Sequence, residues 1–263
     1  MNFIGRFYNN FITSVNMKIK YYGGVTALLY YSIISYFIDK KGRNRINKII
    51  IMQIYFTGNL ALMIISLAAL SLGIVTVLQS YYILSNYGAL KQVGDIINII
   101  IIRELGPFFT AFIILSRSAT AISAEIGTMM VNDEINALEM LGIDSLKFVV
   151  FPRIAGMVIA GVFLTIYFNA ISLIGGFLVG NLVGGLSFDT YITYIINSIT
   201  FLDISMSIFK SAIFSLFISG IAIYYGFQAF EQTQIPQATT KAVVSSIFAL
   251  FFIDIIMSVI FYL

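Results

Sequence analysis

From Ile49 through Leu90 the chain carries no Asp, Glu, Lys or Arg. That run is about twice the ~20 apolar residues needed to cross a bilayer. Further uncharged runs follow at Ile154–Phe188 and Ser211–Phe230, and Ala242–Leu263 holds a single acid, Asp254. Backbone in hydrocarbon must satisfy its own hydrogen bonds, so such runs are expected to be helices. The expected fold is all-α and integral to a membrane.

The rest of the composition agrees. The chain is 59% hydrophobic with mean hydropathy +0.96, and 10% of its residues are charged, against roughly 25% in a soluble domain. The net charge of +3 gives no reason to expect nucleic acid. The placement of the bases says more. Arg6, Lys18, Lys20, Lys40, Lys41, Arg43, Arg45 and Lys48 all precede the first long apolar run and make up more than half of the 15 Lys and Arg. Bases near span ends mark the cytoplasmic-equivalent side, so the N-terminus is expected inside. Cys and His are absent, which excludes disulfides, thiolate-held clusters, Cys/His zinc sites and histidine-ligated haem. No catalytic residue, resident metal or cofactor is expected. Met1–Lys20 shows neither a signal-peptide pattern nor an Arg/Ser-rich transit pattern. Heavy use of Ile, Asn, Tyr, Phe and Lys suggests an AT-rich genome, of an organelle or a bacterium.

A single domain, 1–263, is expected, with a basic N-terminal region over 1–48 and a bundle over 49–263. Tyr21–Ile38 is amphiphilic and basic at its flanks, which favours a helix lying in the interface over a sixth span. Five spans are expected, at about Ile51–Leu78, Ile96–Thr128, Pro152–Val179, Ser207–Phe227 and Val243–Phe261. They place Met130–Phe151 and Gln228–Thr240 inside and the C-terminus outside. Asn181–Ser205 becomes an outside loop carrying Asp189 and Asp203. No internal repeat is visible.

Function is expected where polar residues interrupt the apolar sequence. Arg103-Glu104-Leu105-Gly106-Pro107 sets two charges beside a residue that removes a backbone hydrogen bond and bends the helix. Charges in a membrane usually face a bundle interior or a wet cavity; the plainer reading has Arg103 and Glu104 snorkelling at the outer end. Arg117 and Glu125 lie two turns apart on roughly one face. Ala119, Ser123 and Gly127 recur every four residues, as do Gly176, Gly180 and Gly184, a spacing that lets helices approach closely. Plain packing explains them, and contact between subunits is the sharper alternative. Between spans two and three, Asn132 reads as an N-cap, Asp133 and Glu134 suit a helix N-terminus, and Gly142 closes the far end. Val131, Ile135, Leu138 and Leu141 share one face. The segment is too short and charged to cross, and it reads as a docking helix for a soluble partner.

Taken in order, Arg103–Pro107, Ser116–Ala119, Ala124–Met129, Glu134–Gly142, Pro152-Arg153, Phe209-Lys210-Ser211, Gln237–Val244 and Asp254 resemble the MlaE family of ABC transporter permeases that move phospholipids. The resemblance covers roughly Tyr55 to the end. It implies a five-span homodimer with an N-terminal interfacial helix and a lipid path for which Arg103, Glu104, Pro107 and Arg117 are the candidates. It also implies a separate ATPase docked on Asp133, Glu134, Asn136, Leu138 and Glu139, and a substrate-binding protein of the MCE type on the opposite side. The chain has no GxxxxGK[S/T] run, so ATP is expected to bind the partner subunit. Two departures stand out: Gln234-Ile235-Pro236-Gln237 replaces a glycine-containing segment, and Asn136 replaces a common acid. Length and composition resemble the members encoded in algal plastid genomes. That implies a plastid membrane, the inner envelope first, with a bacterial inner membrane as the alternative. An ion- or proton-conducting subunit, relaying through Glu104, Arg117, Glu125 and Asp254, is the competing function.

Overall fold

The computed structural model describes residues 23–38, 42–184 and 186–262. Among them there are helices and connecting turns and no strand. We label the helices α1 Gly23–Ile38, α2 Arg43–Asn86, α3 Leu90–Val131, α4 Glu134–Met140, α5 Leu146–Val183, α6 Phe188–Ser198, α7 Phe201–Gly226 and α8 Ile235–Tyr262. Helices α2, α3, α5, α7 and α8 are long and apolar enough to cross a membrane. The protein is an integral membrane protein.

The spans overrun the expected limits. The first was expected at Ile51–Leu78 and runs from Arg43 to Asn86; the second and third extend to Leu90–Val131 and Leu146–Val183. The fourth starts at Phe201 instead of Ser207, and the fifth at Ile235 instead of Val243. Hydropathy marks the hydrocarbon slab, whereas a helix ends where its backbone is capped. At 1.5 Å per residue α2 is roughly 66 Å long, about twice the ~30 Å apolar thickness. It starts at Gly42, whose φ of 76° suits a residue without a side chain.

Helix α1 spans roughly 24 Å and is too short to cross upright. It buries Val25, Leu29 and Ser32. Leu29 lies against Gly220 of α7, where an added Cβ would come within 3.0 Å. At its other end the Ser35 hydroxyl donates to Asp144, and the Tyr36 ring stacks on Phe151 at 4.0 Å. Arg6, Lys18, Lys20, Lys40 and Lys41 lie outside the described residues, and Arg43, Arg45 and Lys48 stand in the first turns of α2.

The closest packing joins α2 to α5, which run parallel. Ala61, Ile65, Ala69, Gly73 and Val77 recur every four residues along one ridge of α2, all buried. Opposite them a Cβ on Gly73 would lie 2.0 Å from the Ser172 carbonyl oxygen, and one on Gly176 would lie 2.5 Å from Val77. The Ser172 hydroxyl donates to the Ala69 carbonyl at 3.0 Å. The glycine seam, read as helix packing with a subunit contact as the alternative, packs within the chain at two positions: Gly176 meets Val77 and Tyr191, and Gly180 meets Val77 and Leu186.

The segment expected as a loop, Asn181–Ser205, contains α6 and the first turn of α7. Ser187 caps α6 by accepting from the Thr190 amide. Tyr191 and Ile195 are its buried residues, and the Tyr191 hydroxyl donates to the Leu173 carbonyl at 3.0 Å. Burial pushes that phenol well above its ordinary pKa.

Candidate functional site

The polar residues gather in two places, one toward each end of the bundle. The first is built on α3, where residues Asn98–Leu105 form a π-helical stretch that resumes as α-helix at Gly106-Pro107. A π turn widens the helix by one residue and occurs often at functional sites. Pro107 sits inside α3, where the π-helical stretch returns to α-helix, so its missing N–H falls at the change of hydrogen-bond register. Gly106 beside it lets α5 approach, since a Cβ there would meet Asn169 Oδ1 at 2.0 Å.

From this stretch Arg103 and Glu104 reach two residues on one face of α7, seven positions apart. Arg103 Nη2 lies 2.6 Å from Asp203 Oδ1, and Lys210 Nζ lies 2.6 Å from Glu104 Oε2. Lys210 Nζ also lies 2.9 Å from Asp254 Oδ1 and donates to the Ser258 hydroxyl at 2.9 Å, both on α8. Asp203 is fully buried. Its other oxygen accepts from the Asn98 amide and from the Thr200 backbone and hydroxyl, each at 2.8 Å. Taking charges out of water costs several kcal/mol per ion unless partners surround them, and here each charge has one. The space beside Arg103, Glu104, Lys210 and Ser258 is only ≈ 10 Å³. A lipid-sized chamber at this level therefore needs walls from outside the single chain.

Asp203 corrects the sequence reading. It was placed in an outside loop, but it lies in the first turn of α7 with the Thr200 and Asp203 side chains capping reciprocally. The signal was present: Thr200 and Asp203 are three apart before an apolar run, the capping-box spacing with Asp in place of Glu. Asn98 carried no such signal, because its partners stand 100 and 105 positions away.

The second gathering lies at the other end of α3. Glu125 accepts from Arg153 Nη2 at 2.6 Å and from its Nε at 3.4 Å, while Arg153 Nη1 donates to the Val149 carbonyl. Arg153 thus ties the end of α3 to the start of α5. Arg117, exposed on a second π-helical stretch, Leu115–Ala119, lines a cleft of ≈ 380 Å³ with Gln53, Thr57, Glu125, Arg153 and apolar residues of α2. Ala119, Ser123 and Gly127 are buried, and Gly127 faces Ala229 and Ile235. Glu104 and Asp254 belong to one gathering and Arg117 and Glu125 to the other. The 13 positions from Glu104 to Arg117 span roughly 20 Å along α3. The four groups of the competing relay therefore do not form one chain of contacts.

Helix α4 joins α3 to α5. Asn132 does not cap it. Asp133 takes that position with φ 57° and no side-chain capping bond, and it accepts from the Asn136 amide at 2.8 Å. Asn132 ends α3 and donates to Glu134 at 3.3 Å. Gly142 closes the segment at φ 72°. Ile135 is buried and Leu138 half-buried, but Leu141 is 76% exposed, as is Met140 at 87%. The expected four-residue apolar face therefore holds at Val131, Ile135 and Leu138 and fails at Leu141, and Met140 and Leu141 join Glu134 on the open surface. Glu139 accepts from Ser145, and Asp144 accepts from the Leu146 amide at 3.0 Å, starting α5.

Residues 50–260 match the family model described as Permease MlaE. The chain is 32% identical over 226 residues to the intermembrane phospholipid transport system permease protein MlaE of Haemophilus influenzae, covering 84% of this chain and 87% of that protein. It is 32% identical over 199 residues to a probable ABC transporter permease protein of Rickettsia bellii, covering 75% and 77%. The chloroplastic protein trigalactosyldiacylglycerol 1 of Arabidopsis thaliana is 26% identical over 213 residues, covering 81% of this chain and 61% of that one.

Proposed function

The chain belongs to the MlaE permease family, and on that premise we propose that it is the membrane subunit of an ABC transporter that moves lipids between membranes. The observation that carries this reading is the match over residues 50–260, which takes in both polar gatherings and α4. A separate ATPase subunit binds ATP and drives transport, while this chain itself is no enzyme and takes no cofactor. The ATPase docks on α4 through Asp133, Glu134, Asn136, Leu138 and Glu139, a surface exposed except at Leu138. Arg103, Glu104 and Pro107 border the lipid path, and a phospholipid with an anionic headgroup is the substrate.

A second copy completes the transporter. Only 17% of the apolar window of α8 is buried within the chain, against 67% for α7, which leaves α8 open to a neighbouring copy or to lipid. A homodimer supplies the walls that the space beside Arg103 lacks. An MCE-type protein caps the end bearing α6. The chloroplastic relative and the AT-rich composition support a plastid membrane, the inner envelope first.

The test is reconstitution. Tagged chain purified from native membranes should bring down a GxxxxGK[S/T]-bearing ATPase, and the complex in liposomes should move fluorescent phospholipid only with ATP. Ion currents in the absence of any ATPase, with no lipid movement, overturn the reading in favour of a conducting subunit.

A further inference from the structure

We infer that α3, α7 and α8 slide as one body past α2 and α5 by a single helical turn, between two hydrogen-bond registers of a buried polar seam. The Arg153–Glu125 ion pair latches the register described above. Asp203, Ser207, Ser211, Ser215 and Ser219 stand four apart on one ridge of α7, each at most 1% exposed. Asn169, Thr165 and Gly161 answer them on α5, which runs the opposite way. The Asn169 amide donates to Ser207 at 3.2 Å, and the Thr165 hydroxyl donates to Ser211 at 2.8 Å. An added Cβ on Gly161 would run into the Ser215 hydroxyl. Evenly spaced rungs of like chemistry leave the register open to a step of one turn, a ratchet that packed helices undergo.

Three buried groups fix the direction of that step. The Ser215 hydroxyl, the Thr110 hydroxyl of α3 and the Asn169 carbonyl oxygen have no hydrogen-bond partner, and Ser215 and Thr110 are fully buried. Leaving a buried polar group unpaired is costly. Gly106 of α3 faces Asn169, one turn before Thr110. Moving α3 and α7 by one turn, roughly 6 Å, toward the end bearing α6 brings Thr110 to the Asn169 oxygen and Ser215 to Thr165. Ser211 then takes the Asn169 amide, and Ser219 comes to face Gly161. Two bonds are exchanged, one is gained, and all three orphaned groups are paired. The opposite step fails, because it sets the buried Ile102 against Asn169 and leaves Thr110 alone.

The other contacts divide the bundle along the same seam. Arg103–Asp203 and Glu104–Lys210–Asp254 bind α3, α7 and α8 to one another, whereas Gly73 and Ser172 interlock α2 with α5. Helix α6 travels with α3, since Asn98 donates to the Ser198 carbonyl at 2.7 Å, and its Tyr191–Leu173 bond to α5 is given up. Arg153 of α5 ties the two bodies at the α4 end. It holds Glu125 at 2.6 Å, and its Nη2 lies 3.8 Å from Met129 Sδ, one turn further along α3. The step therefore puts Met129 where Glu125 was and breaks the pair. Glu125 precedes α4 by little more than two turns, so a partner pulling on α4 acts on the latch. For that purpose the inference rests on the reading of the chain as an ATP-driven permease, but the exchange of register is a property of the chain alone.

The chain lacks Cys, so disulfide trapping of the full chain in nanodiscs reads the register. The double variants N169C/S207C and T165C/S211C report the register described above, and N169C/S211C and T165C/S215C report the second. A disulfide needs Cα atoms within ~7 Å, and a step of one turn offsets a pair by a further roughly 6 Å, so each pair reports one register. The first two pairs should crosslink fast and the other two slowly. E125Q should speed the second-register pairs about fivefold, as expected for loss of a half-exposed ion pair. T110V, added to T165C/S215C, should slow its crosslinking by about as much. Melting temperatures of the reduced variants show which fold, and each register has two pairs in case one does not. Absence of second-register crosslinks in E125Q, or rates unmoved by both E125Q and T110V, overturns the inference. Neither an ATPase nor lipid movement enters this measurement, so its failure and a failure of ATP-driven transport are told apart.

Discussion

Glu104 and Lys210, 106 positions apart, meet at 2.6 Å where α3 and α7 cross, and Lys210 is only 5% exposed. The same ammonium holds Asp254 of α8, so one side chain joins three spans. Removing one partner of a buried pair costs about 3–5 kcal/mol, because the other charge is left alone. Glu104 is 30% exposed, which puts its share at the lower end. Lys210→Met should lower the melting temperature in detergent by several degrees, and Lys210→Met with Glu104→Gln should recover part of the loss. Strict additivity of the two single effects would show that the pair is not coupled.

The α2–α5 seam gives a sharper contrast. A Cβ on Gly73 would lie 2.0 Å from a backbone oxygen of Ser172, whereas one on Gly58 meets nothing within 4 Å. Gly73→Ala should cost about 1–3 kcal/mol, since two helix backbones must part. Gly58→Ala should be neutral or stabilising by up to about 1 kcal/mol, as alanine is the better helix former. Equal melting temperatures for the two variants would contradict the close parallel packing.

Some of this was legible in the sequence. Spans announce themselves because each needs a long uncharged run, and the family motifs around Arg103, Glu125 and Glu134 are contiguous in sequence. The ion pairs are not contiguous. Lys210 and Asp254 read as isolated span charges, and nothing local says that they share Glu104. Asp203 looked like a loop acid because it precedes the window expected for the fourth span, although the Thr200 spacing marked a helix start. The seam around Gly176 was visible as a pattern, but a pattern of small residues does not say which helix it meets. Helix ends failed for a general reason: apolarity reports the slab, and capping sets the end.

Arg103 separates path from scaffold. Its Nη2 is 2.6 Å from Asp203, with 25% of its side chain exposed. If it also borders the path, a photocrosslinker at position 103 should label lipid well above one at Phe248, and Arg103→Ala should lose lipid while the oligomer persists. If it only holds Asp203, Arg103→Ala should deplete the protein, and labelling at the two positions should match.

Sidedness can be read directly, because the chain contains no Cys. Single cysteines at Asn136 and Tyr87, both on exposed connections, should be labelled from opposite sides of sealed vesicles. Position 136 should share its side with the N-terminus, where more than half of the bases lie. Labelling of both positions from the same side would overturn the five-span arrangement.

Docking on α4 is tested best where the fold has least at stake. Leu138 is half-buried, so an acid there threatens packing as well as any partner. Glu134 is exposed, with a single 3.3 Å contact from Asn132, and Met140 is 87% exposed. Glu134→Lys reverses a charge at the helix start, where an acid suits the dipole, and should cost the helix no more than about 1 kcal/mol. Met140→Asp removes an apolar contact offered only to a partner. Together they should leave the melting temperature within a degree or two while reducing ATPase co-purification and ATP-driven lipid movement at least tenfold. The acids in this segment predict a basic complement on the partner, so an acid-to-base exchange there should rescue Glu134→Lys. Full transport by the double variant would remove α4 as the docking element.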